Sequence, residues 1–365
     1  MIPAAYAVLN VAAARHNLQK VREIAPNAKV MAVIKANAYG HGMLRLAGAL
    51  SDADGFAVAR VDEGVRLRRA GELKRIAVLE GFTCAEELDE LVAHGLDALV
   101  HSFAQLVILE AYTERDKIAV WLKLDTGMNR LGFKAHELQV VYQQLSACSI
   151  VKQPINIMTH LANADDVEDA MTLKQLALFN DTLATLPLSA GNERSIANSA
   201  GILAWPQAIS DWVRPGIMLY GISPFAESTG AELGLKPIMS LHSRLIAVKT
   251  VTKGDTVGYG GSWLCERDTL LGVVAIGYAD GYPRYARIGT PVLVNGQRVP
   301  LIGRVSMDMI TVDLGSQPNA KAGDAVTLWG EDLPVEEIAL CADTIPYTLV
   351  CGVTQRVKQL EAVAE

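Results

Sequence analysis

Lys35 ends an apolar, strand-like run, Val30–Ile34, and is followed at once by Ala36, Asn37, Ala38, Tyr39, Gly40, His41 and Gly42. A lysine where a strand leaves the core must snorkel to solvent, pair with a charge or react, because its ammonium is costly to bury alone. Taken singly, it reads as an exposed structural residue. The neighbours change that reading. A phenol, an imidazole and two glycines within one turn make the kind of loop that approaches a ligand closely. Other chemistry-bearing residues follow: Lys123, Arg130, His160, Ser199, Arg214, Tyr259, Tyr278, Met307 and Tyr347. Each also has an ordinary role. Arg130 alone is a surface ion-pair residue, His160 a satisfied histidine at a strand end and Ser199 a helix N-cap. Gly216 is a turn glycine after Pro215, Tyr259 a turn-edge aromatic, Tyr347 a strand-edge tyrosine and Met307 core filler.

The elements that must position these residues fall into two textures. Between about residues 29 and 220, short apolar runs alternate with longer stretches of helical spacing. Strand candidates lie at 29–34, 55–59, 76–79, 97–101, 118–124, 155–160, 194–198 and 213–220, with helical stretches such as 60–71, 84–94 and 168–186 between them. That alternation predicts parallel strands with crossover helices. An open, doubly wound sheet competes with a closed barrel. The eight strands, and the placement of Lys35, Arg130 and His160 at or beyond strand C-terminal ends, favour an α/β fold with an N-terminal (β/α)8 TIM-type barrel over 1–235. From 236 to 365 extended runs are broken by Gly, Pro, Asn and Asp, VNGQ at 294–297 signals a hairpin, and one helix is expected near 334–342. A C-terminal, mostly antiparallel β domain is predicted there.

With 365 residues the chain exceeds the size at which one core stops growing, about 250–300 residues, so two domains are expected. The net charge of −7 argues against nucleic acid and anionic membranes as partners, and no apolar run reaches the roughly eighteen residues of a membrane span. Five cysteines without a CxxC pair, and an N-terminus without a basic leader, point to a reducing, cytoplasmic setting. No metal is expected, because the seven histidines lack ligand spacing.

The run VIKANAYGHG at 33–42 resembles the signature of the alanine racemases, enzymes that use pyridoxal 5'-phosphate carried by the lysine as a Schiff base. Further blocks match that family in order: LKLDTGMNRLGF at 122–133, MTHLANAD at 158–165, ANSAG at 197–201, DWVRPGIMLYG at 211–221, VGYGG at 257–261, GYADGYPR at 277–284, GRVSMDM at 303–309 and IPY at 345–347. The resemblance spans nearly the whole chain. It implies that a first strand at about 4–10 belongs with the β domain. It also implies a homodimer whose sites are shared, the β domain giving the second catalytic base to the partner subunit.

Residue by residue, the resemblance makes Lys35 and Tyr259 the catalytic bases on opposite faces of the substrate. The cofactor's phosphate falls to Ser199, Gly216 and Ile217, assisted by the hydroxyls of Tyr39 and Tyr347. Arg214 corresponds to the arginine that faces the pyridine nitrogen, with His160 behind it. Arg130 corresponds to the residue that contacts the cofactor's phenolic oxygen and the substrate carboxylate, and Lys123 to a lysine carbamylated in some members. Met307 matches a residue whose backbone N–H binds substrate carboxylate across the dimer, and Tyr278 one that narrows the entrance. Ser306 stands where some members have cysteine, and Asn163 lies where the family is loose. The implied activity is interconversion of L- and D-alanine, which feeds peptidoglycan. A broad-specificity amino-acid racemase is the nearest alternative. A basic amino-acid decarboxylase of the same plan is opposed by Arg214, since those enzymes normally place a carboxylate at the ring nitrogen. A non-catalytic pyridoxal phosphate carrier is opposed by the β tail.

Overall fold

A computed structural model of the chain describes residues 4–113 and 116–362. It contains two compact units, one formed by Asn17–Ala38 and Gly42–Leu219, the other by the chain up to His16, Tyr39–His41 and the chain from Tyr220 onward.

Strand β1 (Tyr6–Leu9) lies outside the unit that follows it in sequence. The next eight strands form a closed barrel: β2 (Lys29–Val33), β3 (Gly55–Val58), β4 (Arg75–Val78), β5 (Asp97–Val100), β6 (Ile118–Lys123), β7 (Val151–Met158), β8 (Arg194–Ser195) and β9 (Trp212–Val213). Each is parallel to the next, and β9 returns to β2 with Lys29 opposite Trp212 and Val30 opposite Val213. That pairing rules out the open sheet. Every residue of β3 and β5 is buried. Strands covered on both faces read as continuous apolar runs, which is why they stand out in the sequence. The helices around them are one-sided. Val61–Arg69 buries Val61, Gly64, Val65 and Leu67, and puts Asp62 and Glu63 in its first turn and arginines in its last, complementing the helix dipole.

Two expected strands are shorter than their apolar runs. β8 ends at Ser195 because Asn198 caps a helix over Ser199–Ala204, accepting from the Gly201 amide. β9 ends at Val213; Pro215 lacks an amide for a ladder, and Ile217–Tyr220 turns as a 3-10 helix. The N-cap expected at Ser199 is therefore Asn198.

In the second unit β10 (Met239–Val251) is the longest strand. After the small ribbon β11 (Thr256–Val257) and β12 (Trp263–Leu264) come β13 (Thr269–Val274), β14 (Pro291–Val294), β15 (Gln297–Ile302), β16 (Ile310–Asp313), β17 (Ala325–Trp329) and β18 (Lys358–Glu361). The sheet order is β13-β16-β15-β14-β17-β10-β1-β18, and β13 also pairs with β10, so the first six strands close on themselves. A register shift between Leu245 and Ala247 divides β10 into the halves that serve β17 and β13. β1 joins antiparallel to β10 and parallel to β18. The 294–297 turn has left-handed φ at Asn295 and Gly296, 49° and 77°, as a tight hairpin between twisted strands requires. The helix near 334–342 is Val335–Cys341, and a second, Pro346–Gly352, carries Tyr347, which is therefore not on a strand edge. Among the described residues, no helix is long and apolar enough to cross a membrane.

Candidate active site

The barrel strands deliver a group of basic side chains to their C-terminal ends, where barrel enzymes build their sites. Lys35 follows β2, Lys123 ends β6, His160 follows β7 and Arg214 follows β9. Beyond Lys35 the backbone does something the sequence did not announce. Ala36, Asn37, Ala38 and Tyr39 all have φ between 50° and 54°, a turn of left-handed helix built without glycine. For L-residues that conformation costs about 1–2 kcal/mol each, so the surroundings must impose it. The ties are visible. The Ala36 amide donates to Glu63 Oε1 at 2.7 Å, and Met43 N donates to Asn37 Oδ1 at 3.1 Å. Glu63 Oε2 meanwhile accepts from the amides of Ala59 at 2.9 Å and Arg60 at 3.3 Å. One carboxylate thus joins the end of β3 to the turn that launches Lys35. Sequence reasoning missed Glu63, whose signal was an acidic residue three places past a helix start.

Arg214 is buried and held through both terminal nitrogens. Its Nη1 donates to Ser195 Oγ at 2.6 Å; its Nη2 donates to the Thr159 carbonyl at 2.6 Å, faces the Ile196 carbonyl at 3.2 Å, and meets His160 Nδ1 at 3.4 Å. Burial lowers its pKa to about 10, which leaves the guanidinium charged at neutral pH. Burial, reinforced by the charges of Lys123, Arg214, Arg130 and Lys35, holds His160 well below the usual imidazole range. A neutral ring accepts at Nδ1, as the contact with Arg214 requires. Ser195 and Thr159 are a second omission of the sequence reading, because nothing in their local pattern marks them as the arginine's acceptors.

Burial, with Arg214 and Arg130 nearby, also holds Lys123 well below the ordinary ammonium range. The loop carrying Arg130 doubles back on it. Phe133 N donates to the Lys123 carbonyl at 3.0 Å and Asp125 N to the Phe133 carbonyl at 2.9 Å. Gly132, at φ 124°, allows the close approach; a Cβ there would lie 2.8 Å from Asp125 N. Asp125 staples the loop by accepting from the amides of Gly127 and Asn129, each at 3.0 Å, and from Lys134 Nζ at 2.7 Å. Ser199 Oγ, free of capping duty, accepts from Gly216 N at 2.9 Å and draws the segment before Ile217 to the start of its own helix.

The β unit holds the remaining residues. The rings of Tyr39 and Tyr347 lie 5.8 Å apart, and burial, with Tyr347 and Cys351 adding to it, pushes the Tyr39 hydroxyl above the usual phenol range. It is a neutral donor. Tyr259 lies in the turn of the β11–β12 ribbon, and Tyr278 in a short turn whose amides bond to the Met307 segment. In the single chain Tyr259 is 66 %, Met307 52 % and Tyr278 40 % exposed, so Met307 is not core filler.

A closed parallel barrel with lysine, arginine and histidine at its mouth, followed by a β unit with exposed aromatics, defines a lysine-bearing barrel-and-sheet enzyme class. Residues 9–224 match the alanine racemase N-terminal domain and 238–361 the alanine racemase C-terminal domain. The chain belongs to the alanine racemase family. It is 53% identical to the biosynthetic alanine racemase of Escherichia coli (strain K12) over 355 residues, covering 97% of this chain and 98% of that one. Its structure resembles that of the biosynthetic alanine racemase from Pseudomonas aeruginosa, with a TM-score of 0.95, 44% identity and complete coverage (100%) of both chains. Alanine racemase from Bartonella henselae with covalently bound pyridoxal phosphate is also similar, with a TM-score of 0.88, 32% identity, and coverage of 99% of this chain and 100% of that one.

Proposed function

We propose that the protein interconverts L-alanine and D-alanine with pyridoxal 5'-phosphate, as a homodimer with shared sites, and supplies D-alanine for peptidoglycan. The observation that carries this reading is the convergence of Lys35, Lys123, Arg130, His160 and Arg214 on the C-terminal ends of the barrel strands. The donor set suits the cofactor: an amine that can bond to it, guanidinium groups and neutral hydroxyls for its anionic oxygens, and a carboxylate, Asp125, already engaged by Lys134.

When bound, pyridoxal phosphate would supply an electron sink for the pair left when Cα loses its proton. We assign the phosphate to Ser199, Gly216 and Ile217 with the hydroxyls of Tyr39 and Tyr347, and the ring nitrogen to Arg214. A guanidinium that keeps its proton leaves the ring nitrogen unprotonated, which favours return of the proton to Cα over transamination. His160, neutral, accepts from Arg214 and holds it. Arg130 takes the phenolic oxygen and the substrate carboxylate, whose second donor is the Met307 backbone N–H from the second subunit; Tyr278 narrows the entrance. Inversion requires two bases, each within hydrogen-bond reach of Cα. Lys35 serves one face; the hydroxyl of Tyr259 from the second subunit serves the other, giving up its proton as Lys35 accepts one, or the reverse. Lys123, buried where the loop carrying Arg130 doubles back on it, is assigned as a carbamylation site: the amine nitrogen bonds to the carbon of CO2, a proton leaves to water, and the anion pairs with Arg130.

The test is reduction of the cofactor-loaded protein with borohydride, followed by peptide mass analysis. The cofactor mass should lie on the peptide containing Lys35, while chiral chromatography shows L-alanine converted to a mixture of enantiomers. A mass on another lysine, or unchanged L-alanine, refutes the assignment.

A further inference from the structure

Two loops of the β unit, 277–281 and 306–309, bear Tyr278 and Met307, and both are fastened to one arginine outside them. The loops are laced to each other first. Tyr278 N donates to the Ser306 carbonyl at 3.1 Å and Ala279 N to the Met307 carbonyl at 3.0 Å. Gly277 permits that approach, since a Cβ there would stand 2.3 Å from the Met307 carbonyl oxygen. Arg356 then bridges them. Its Nη2 lies 2.8 Å from Asp308 Oδ1 and its Nε 3.4 Å from Asp280 Oδ1. The Asp280 side chain is buried, and its other oxygen accepts from Gly277 N at 2.9 Å. Thr354, two residues before Arg356, donates through N to the Asp280 carbonyl at 3.1 Å and through Oγ1 to the Ala279 carbonyl at 2.8 Å. The arginine is well placed to act as an anchor. Two residues later the chain enters β18, which pairs with β1, so the guanidinium ties the loops that follow β13 and precede β16 to a strand at the other end of the sheet order.

We infer that Arg356 is a positioning residue that sets the width of the substrate entrance, holding Tyr278 and Met307 at fixed separation so that a methyl side chain is accepted and larger ones are disfavoured. This rests on the roles proposed above for Tyr278 and Met307. A planar fork spanning two carboxylates fixes direction as well as distance; an ammonium fixes only distance. Arg356 touches neither substrate nor cofactor and acts through Asp280 and Asp308.

The test uses the cofactor-loaded enzyme and its Arg356→Ala, Arg356→Lys and Asp308→Asn variants, with kcat and KM measured for L-alanine and L-2-aminobutyrate. Arg356→Ala should raise KM for alanine about fivefold with kcat little changed, and lower the alanine-to-aminobutyrate ratio of kcat/KM by a similar factor. Arg356→Lys and Asp308→Asn should fall between it and the parent. Hydrogen exchange at the Tyr278 and Ala279 amides should quicken in the same order. Unchanged KM, ratio and exchange in a folded Arg356→Ala variant would overturn the inference, as would a loss of melting temperature alone. Should Arg356→Ala fail to fold, the other two variants decide the matter in the same way. An unsubstituted protein that does not racemise alanine would instead overturn the reading beneath it.

Discussion

The Ser195–Arg214 contact offers a quantitative check on how the arginine is held. Ser195 and Arg214 are both buried, and the serine hydroxyl does two things: it accepts from Nη1 at 2.6 Å and donates to the Trp212 carbonyl at 2.9 Å. Ser195→Ala removes a charge-assisted hydrogen bond of about 1.5–3 kcal/mol and strands a carbonyl for about 1 kcal/mol more, a loss of roughly 2.5–4 kcal/mol. Arg214→Lys keeps the charge but cannot serve the Ser195, Thr159 and Ile196 oxygens together, and should lose about 2–4 kcal/mol. Because both substitutions remove the same bond, the double variant should be less damaged than the sum by about 1.5–3 kcal/mol. Equilibrium urea unfolding at saturating cofactor, carried out on the parent and the three variants, measures this coupling. Racemisation by Ser195→Ala should fall as well, since the guanidinium remains but its aim is loosened. Additivity within about 0.5 kcal/mol would refute the claim that Ser195 fixes the arginine.

Tyr259→Phe should retain cofactor and slow proton exchange from one enantiomer far more than from the other; mixed with Lys35→Ala, it should recover part of the lost activity. Equal loss in both directions, or no recovery after proven subunit exchange, contradicts the two-base assignment. His160 has a folded pKa far below its unfolded value near 6.5, so the unfolded chain gains a proton first as pH falls. Its contribution is complete above about pH 6.5 and is lost as pH falls toward the folded pKa. His160→Gln should therefore flatten the stability profile below about pH 6.5, and an unchanged slope would contradict a buried, neutral imidazole.

Barrel strands such as β2 and β3 were legible because their buried runs are apolar, and Lys35 because a cation ends one of those runs. The helix at Pro346–Gly352 was not. IPYTLV has the composition of a strand, although Pro346 at the first helical position was an available sign. Ser199 read as the cap, and only its tertiary bond to Gly216 shows why Asn198, one residue earlier, takes the duty. The acceptors of Arg214 were illegible for a general reason: two are backbone carbonyls, which every residue has. The boundary between strand and site at β9 depended on Pro215, a residue whose missing amide could have been weighed more heavily. Arg356 and its two aspartates are far apart in sequence, and no periodicity connects them.

The mirror-handed turn after Lys35 has a consequence for how the reactive amine comes into being. No short peptide of that sequence would choose such a shape, since alanine prefers the opposite hand and local preference here opposes the native state. The shape exists only once β3 has delivered Glu63 to the Ala36 amide and Asn37 has found Met43. A chain in which β3 and its following helix have not docked beside β2 therefore holds a lysine without this turn, and the geometry that distinguishes it is acquired only with that tertiary pairing.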